Sequence, residues 1–170
     1  DFGVGQSIGV VVPGPHAFGN AEHFRLYTVA NTSGADNGDG RIEICVKRCS
    51  YVDEFSGERH KGVASNYLCD RQPGDEVTIT GPYGLPFELP ADKSADLLMI
   101  GLGTGIAPFR AFVRHIYESL GGWDGRVRLF YGARSGLEMA YMNEEQDDFV
   151  NYYDEATFQA FTAVSPRPHM

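Results

Sequence analysis

From Ser7 to about Thr80 the apolar positions recur with a period of two. SIGVVV runs into the Pro13-Gly14-Pro15 turn and RLYTVA follows. RIEICVKR sets Ile42, Ile44 and Val46 against Glu43, Cys45 and Lys47, and DEVTIT, after the Pro73-Gly74 turn, sets Val77 and Ile79 against Thr78 and Thr80. Alternation of this kind sends one set of side chains to each face of a strand, so these segments predict an antiparallel sheet or barrel. The intervening NTSGADNGDG is made of turn formers. Asp36 and Asp39 could chelate calcium there, but the composition is that of a flexible hairpin loop.

Near ELPADKSAD the pattern changes, which puts a domain boundary at Pro90 to Ser94. The apolar run LLMIGL breaks into GTG. Phe109, Phe112, Val113, Ile116 and Leu120 then recur at helical spacing, with Pro108 in the first turn and Gly121-Gly122 as the stop. VRLFYGA reads as the next strand and LEMAYMNEEQDDFVNYY as a second helix, with Glu144 to Asp148 on its solvated face. TFQAFTAVS reads as a third strand. Two strand-to-helix crossovers predict a parallel sheet with right-handed connections. The expected architecture is an antiparallel β-barrel domain over residues 1–92, incomplete at its start, followed by an α/β domain over residues 93–170, incomplete at its end.

Composition narrows the partners. The 170 residues are 42% hydrophobic and 12% aromatic, enough for real cores, and 14 Lys+Arg against 23 Asp+Glu give a net charge of -9. Such a surface repels nucleic acid and anionic membranes, so an anionic ligand needs a local basic pocket. No segment approaches the roughly 20 apolar residues that cross a bilayer, and the first residues lack a basic signal region, which predicts a cytoplasmic protein. Asp1 is not an initiator and SPRPHM closes no element, so the chain reads as an excerpt. Cys45, Cys49 and Cys69 show no metal-ligand or disulfide pattern. Strand geometry would hold Cys45 and Cys49 about 13 Å apart. The histidines His16, His23, His60, His115 and His169 form no ligand-like spacing.

The glycines are the chemical signal. A buried strand that turns through Gly101, Gly103 and Gly105 into a helix brings backbone N–H groups close to whatever lies above, and phosphate is the natural occupant. Gly103 to Pro108 reads G-x-G-x-x-P, and no Lys-Ser or Lys-Thr pair follows, which disfavours a nucleoside triphosphate loop. The next strand ends in Ala133-Arg134 rather than an acidic residue, and the third ends near Ser165 and Arg167. Cationic and hydroxyl groups at a ribose favour NADP over NAD.

Five blocks, RLYTVAN, CVKR, GVASNYLCD, PGDEVTITGPYG and GTGIAPFR, stand in the order and spacing of the plant-type ferredoxin-NADP reductase family, which the chain resembles over almost its whole length. The resemblance implies an FAD-binding barrel, an NADP-binding α/β domain, and hydride transfer from NADPH to FAD followed by single-electron release to an iron-sulfur domain or ferredoxin. It assigns Arg25 to the FAD pyrophosphate, Leu26 and Tyr27 to the flavin wall, and Thr28 to its reactive edge. Cys45, Val46 and Lys47 border FAD, Tyr51 stacks on adenine, and Gly62, Val63, Ala64 and Ser65 meet the pyrophosphate. Thr104 lies where the two cofactors meet, making Tyr27, Thr28 and Thr104 the candidate catalytic residues. For NADP it assigns Lys47, Gly103, Thr104, Gly105, Ala133, Arg134, Ser165 and Arg167.

Two positions depart from the family pattern. Ala64 replaces the usual cysteine, and Pro166 separates Ser165 from Arg167. The first barrel strands and the later nucleotide-domain strands are absent from these blocks. Within the family, the stretch from Gly132 to Pro168 is most similar to the reductase component of benzoyl-CoA oxygenase, which implies an oxygenase as final partner. The alternative reading is a non-catalytic flavin- or nucleotide-binding electron-transfer module. A flavin-free dehydrogenase would want an acidic ribose-binding strand end and no R-x-Y-T block, and the sequence disagrees on both counts.

Overall fold

A computed structural model describes residues 2–16, 19–32, 40–142 and 148–165. In the first half β1 (Ser7–Pro13) is central to an antiparallel sheet, between β2 (Glu22–Thr28) and β5 (Thr78–Tyr83). Val10 stands opposite Arg25 on one side and Ile79 on the other. Ladder partners project to the same face, so Ile8, Val10 and Val12 share a face with Tyr27, Arg25 and His23. Those three apolar residues are buried with Val29 and with Ala64 of α1 (Val63–Cys69). On the opposite face Phe24 and Leu26 stay about half exposed, at 50% and 49%.

RIEICVKR departs from its expected strand: only Ile44 makes a bridge, to Val29. The segment is nonetheless tied down. Ala30 N–H donates to Glu43 O at 2.7 Å, and the buried Asn31 accepts from Glu43 N–H at 2.9 Å. The strand-based spacing of Cys45 and Cys49 therefore lapses; both are free thiols, Cys49 exposed and Cys45 half-buried. A short hairpin follows that the alternation did not announce, β3 (Ser50–Val52) with β4 (Arg59–Lys61). The Asp53 carboxylate holds its turn by accepting from Phe55 and Ser56 N–H. The loop bearing Asp36 and Asp39 lies outside the described residues.

In the second half β6 (Leu97–Leu102), β7 (Val127–Ala133) and β8 (Phe158–Val164) form a parallel sheet in that order. Helix α2 (Ala107–Arg114), extended by a wider turn over His115–Ser119, covers one face. Its Phe112, Val113 and Ile116 pack on Met99, Val127, Leu129 and Tyr131, each full burial contributing about 1.5–3 kcal/mol. Period-two geometry sends Leu98, Ile100, Leu102, Phe130 and Phe161 to the other face, where all five are exposed. Among the described residues no helix is long and apolar enough to cross a membrane.

The second predicted helix is a correction. The described parts of that segment hold only two short 3-10 turns, Gly136–Glu138 and Phe149–Tyr152. Phe149 and Tyr152 are buried in the sheet's core, and Asp148, expected on a solvated face, is 4% exposed beside Arg110. Packing against Phe158 and Tyr117 places these aromatics without a continuous helix. The two halves meet where Phe87 packs on Phe109 and Phe112 of α2, at 6.3 and 5.9 Å between ring centroids.

Candidate functional site

A cleft of about 670 Å³ opens between the halves. Its wall takes Arg25, Leu26, Tyr27 and Thr28 from β2, Cys45 and Lys47 from the following strap, Tyr51 from the hairpin, Gly62 to Ser65 from the start of α1, and Thr104 from the glycine turn. Of the residues expected around FAD, only the half-buried Val46 is off this wall. Gly105, Ala107 and Pro108 of the glycine-turn motif also line it, as do His23, Cys49 and Lys61, to which no motif in the sequence points.

The cleft's chemistry suits an elongated, aromatic, doubly phosphorylated ligand. β2 alternation places Arg25 and Tyr27 on one face, two residues apart. Burial pushes the Tyr27 phenol above its ordinary pKa, with Arg25 pulling the other way, so the ring faces the cleft protonated. The Thr28 hydroxyl is shared with Ser7 at 3.2 Å. Tyr51 stacks on His60 at 5.2 Å and is 61% exposed. At the start of α1 the first N–H groups have no intrahelical acceptor. Ser65 Oγ accepts from Cys49 N–H at 3.2 Å and donates to Gly62 O, so the hydroxyl first serves to shape the turn.

The glycine turn is built by close approach. A Cβ on Gly101 would sit 3.1 Å from Ile106 Cδ1 and 3.2 Å from its Cα, and Gly103 has φ +53, the left-handed region that favours glycine. A Cβ on Gly105 would meet nothing within 4 Å, so open space lies above the turn.

A second groove, about 930 Å³, runs along the ends of the parallel strands. Lys47, Gly103, Thr104, Ala133, Arg134 and Ser165, all expected near NADP, line it. Gly105 faces the first cleft instead, and Arg167 lies outside the described residues. Glu138, like Arg48, Cys49 and Ser50, lines this groove without having been expected there, and its carboxylate is 2.7 Å from Lys47 Nζ. That ammonium, with Arg134 nearby, holds the Glu138 carboxyl below the usual carboxylate range. The two cavities share Lys47, Cys49 and Thr104, so they open onto one another at the glycine turn.

Between them runs the strap from Glu43 to Lys47, whose alternate residues all reach the second half. Glu43 accepts from Arg110, Cys45 lies beside Tyr141, and Lys47 pairs with Glu138. Arg110 is 8% exposed. It also donates to Ala30 O, lies 3.7 Å from Asp148, and stacks 4.7 Å from the centroid of Tyr141. Tyr141 adopts φ +62, an uncommon conformation for a bulky residue. Burial drives its phenol far above the ordinary range and raises the Cys45 thiol too.

Known proteins are similar to both halves of the chain. Residues 1–87 match the oxidoreductase FAD-binding domain and residues 99–169 the oxidoreductase NAD-binding domain. The ferredoxin-NADP reductase of the Cyanophora paradoxa cyanelle is 44% identical over 144 residues, 82% of this chain and 39% of that protein. The ferredoxin-NADP reductase of Thermosynechococcus vestitus is 39% identical over 165 residues, 95% of this chain and 42% of that protein. The chain thus spans about two-fifths of the length of these relatives. Its fold is similar to that of Plasmodium falciparum ferredoxin-NADP+ reductase, with a TM-score of 0.72 at 20% identity over 99% of this chain and 59% of that one. Carrying both domains in series, the chain belongs to the ferredoxin-NADP reductase family.

Proposed function

We propose that this chain forms the core of an FAD-dependent NADPH oxidoreductase that delivers electrons to a one-electron iron-sulfur acceptor, with residues 1–92 holding FAD and residues 93–170 holding NADP(H). The observation that carries the reading is the junction of the two cavities at Lys47, Cys49 and Thr104. A dinucleotide in the second groove and an aromatic cofactor in the first would meet there without either leaving its wall.

When bound, FAD supplies the hydride-accepting and one-electron chemistry. The chain's residues bind and orient. Arg25 provides charge for the pyrophosphate, and the first N–H groups of α1, on the same cleft, add donors. Tyr27 offers a protonated ring as a flat wall, and Thr28 a hydroxyl at the edge. Thr104, which lines both cavities, would lie between the two ligands, while Arg134 and Ser165 offer a cation and a hydroxyl suited to a phosphorylated ribose. The finer reading, that the acceptor chain ends in an oxygenase acting on benzoyl-CoA, rests on the similarity of the stretch from Gly132 to Pro168.

Anaerobic mixing of the full-length, FAD-loaded protein with NADPH and then NADH, following the flavin's visible absorbance, tests the reading. Fast bleaching by NADPH with slow bleaching by NADH is expected. Failure of both to bleach the flavin would move the protein to the non-catalytic binding module. NADPH consumption that depends on both an oxygenase component and benzoyl-CoA would support the finer assignment.

A further inference from the structure

Among the described residues lining the second groove, Glu138 is the lone acid, whereas Lys47, Arg48 and Arg134 are basic. Arg48 is committed elsewhere, 2.7 Å from Asp70 and 3.0 Å from Asn66 Oδ1. Lys47 is the basic residue that lines both cavities, and its ammonium is engaged by a carboxylate from the opposite half of the molecule. An anionic ligand entering the groove therefore meets a negative charge already seated on the cation it would use.

The strap has three rungs of unequal permanence. Glu43 sits on Arg110, whose side chain is 9% exposed although that of Glu43 is 30% exposed, and Cys45 lies half-buried beside Tyr141. Lys47 and Glu138 have side chains 46% and 32% exposed. An exposed ion pair is held weakly and exchanges partners readily, while a buried one cannot be opened without stranding a charge. The outer rung is the one that can open while the seam stays closed.

We propose that Glu138 is an internal competitor for Lys47: its carboxylate holds the ammonium until a phosphate group of NADP(H) takes its place, so binding breaks the Lys47–Glu138 pair and release restores it. The proposal rests on the dinucleotide reading of the groove. Part of the ligand's interaction with Lys47 is consumed in displacing Glu138, so Glu138 sets the affinity of the site below what its basic residues would otherwise produce. On release the carboxylate recaptures Lys47 and blocks immediate rebinding there.

Isothermal titration calorimetry of NADP+ into the full-length FAD-loaded protein at low ionic strength tests this, using wild type, Glu138→Gln, Lys47→Met and the double variant. Glu138→Gln should tighten binding roughly two- to five-fold, and Lys47→Met should weaken it. In the Lys47→Met background Glu138→Gln should have no effect, because no ammonium is left to compete for. Equal tightening in both backgrounds would overturn the proposal, since Glu138 would then act by general repulsion. Unchanged or weaker binding in Glu138→Gln would overturn it as well. Flavin absorbance retained by each variant reports an intact first half. A wild-type protein that holds FAD yet gives no heat with NADP+ removes the dinucleotide reading and the competitor together. NADP+ binding that ignores Glu138→Gln removes the competitor alone.

Discussion

At the Glu43 end of the strap the partner, Arg110, is 8% exposed and is touched by a carboxylate, a carbonyl, an aromatic face and a second carboxylate from Asp148. At the Lys47 end, four residues on, the same kind of ion pair lies at the mouth of a groove and is open to water. Both join the same two domains. Burial makes the first a pin, because an arginine out of water must keep its partners. Exposure makes the second a contact that a competing anion can take. A single extended segment thus fixes the domains at one end and leaves the ligand-facing end exchangeable.

The largest test of this contrast is Arg110→Ala. It removes the buried cation that Glu43, Asp148 and the Ala30 carbonyl share, and should cost about 3–5 kcal/mol of stability by chemical denaturation. Variants at the Lys47–Glu138 rung should leave the denaturation midpoint near wild type. Equal effects at the two ends would erase the distinction between pin and contact.

Tyr141→Phe is a smaller cut at the middle rung. The ring remains over Arg110 but the half-buried hydroxyl beside Cys45 goes, which should cost about 1 kcal/mol at neutral pH. The Tyr141 phenol has a raised pKa in the folded protein. Its contribution is therefore whole below about pH 10, the unfolded value, and is lost as the pH climbs from there toward the folded value. Denaturation midpoints should fall on alkaline titration past that point, and less steeply in Tyr141→Phe. Tyr117 and Tyr131, also raised by burial, keep part of the fall in place.

The mildest probe leaves stability untouched. Brief alkylation near neutral pH, read by mass spectrometry, should label the exposed Cys49 and Cys69 before Cys45, whose thiol burial holds protonated. Labelling of all three at one rate would mean that the seam opens freely.

Much of the framework was legible because period-two and helical patterns bury one face at a time. SIGVVV, RLYTVA, LLMIGL, VRLFYGA and TFQAFTAV are strands β1, β2, β6, β7 and β8, and the Phe112, Val113 and Ile116 spacing is α2. Most residues chosen for the two sites do line the two cavities, since R-x-Y-T and the glycine turn carry their geometry in a few adjacent positions. Other features were not legible. The β3–β4 hairpin is only three residues a side, too short for a period to register. The stretch from Leu137 to Tyr153 has enough apolar and acidic residues to imitate an amphipathic helix. In the described part, what places Phe149 and Asp148 is contact with Phe158 on the following strand and with Arg110, far back in the chain.

The sequence by itself determined which residues share a face, where the chain turns tightly, and that an antiparallel half precedes a parallel one, because these follow from local spacing and backbone sterics. It paired Glu43, Cys45 and Lys47 on one side of an extended segment. Only the tertiary structure decided that this side meets the second domain rather than water, and that Glu138 arrives opposite Lys47. Spacing orients a side chain, whereas burial and charge pairing depend on what the rest of the fold brings against it.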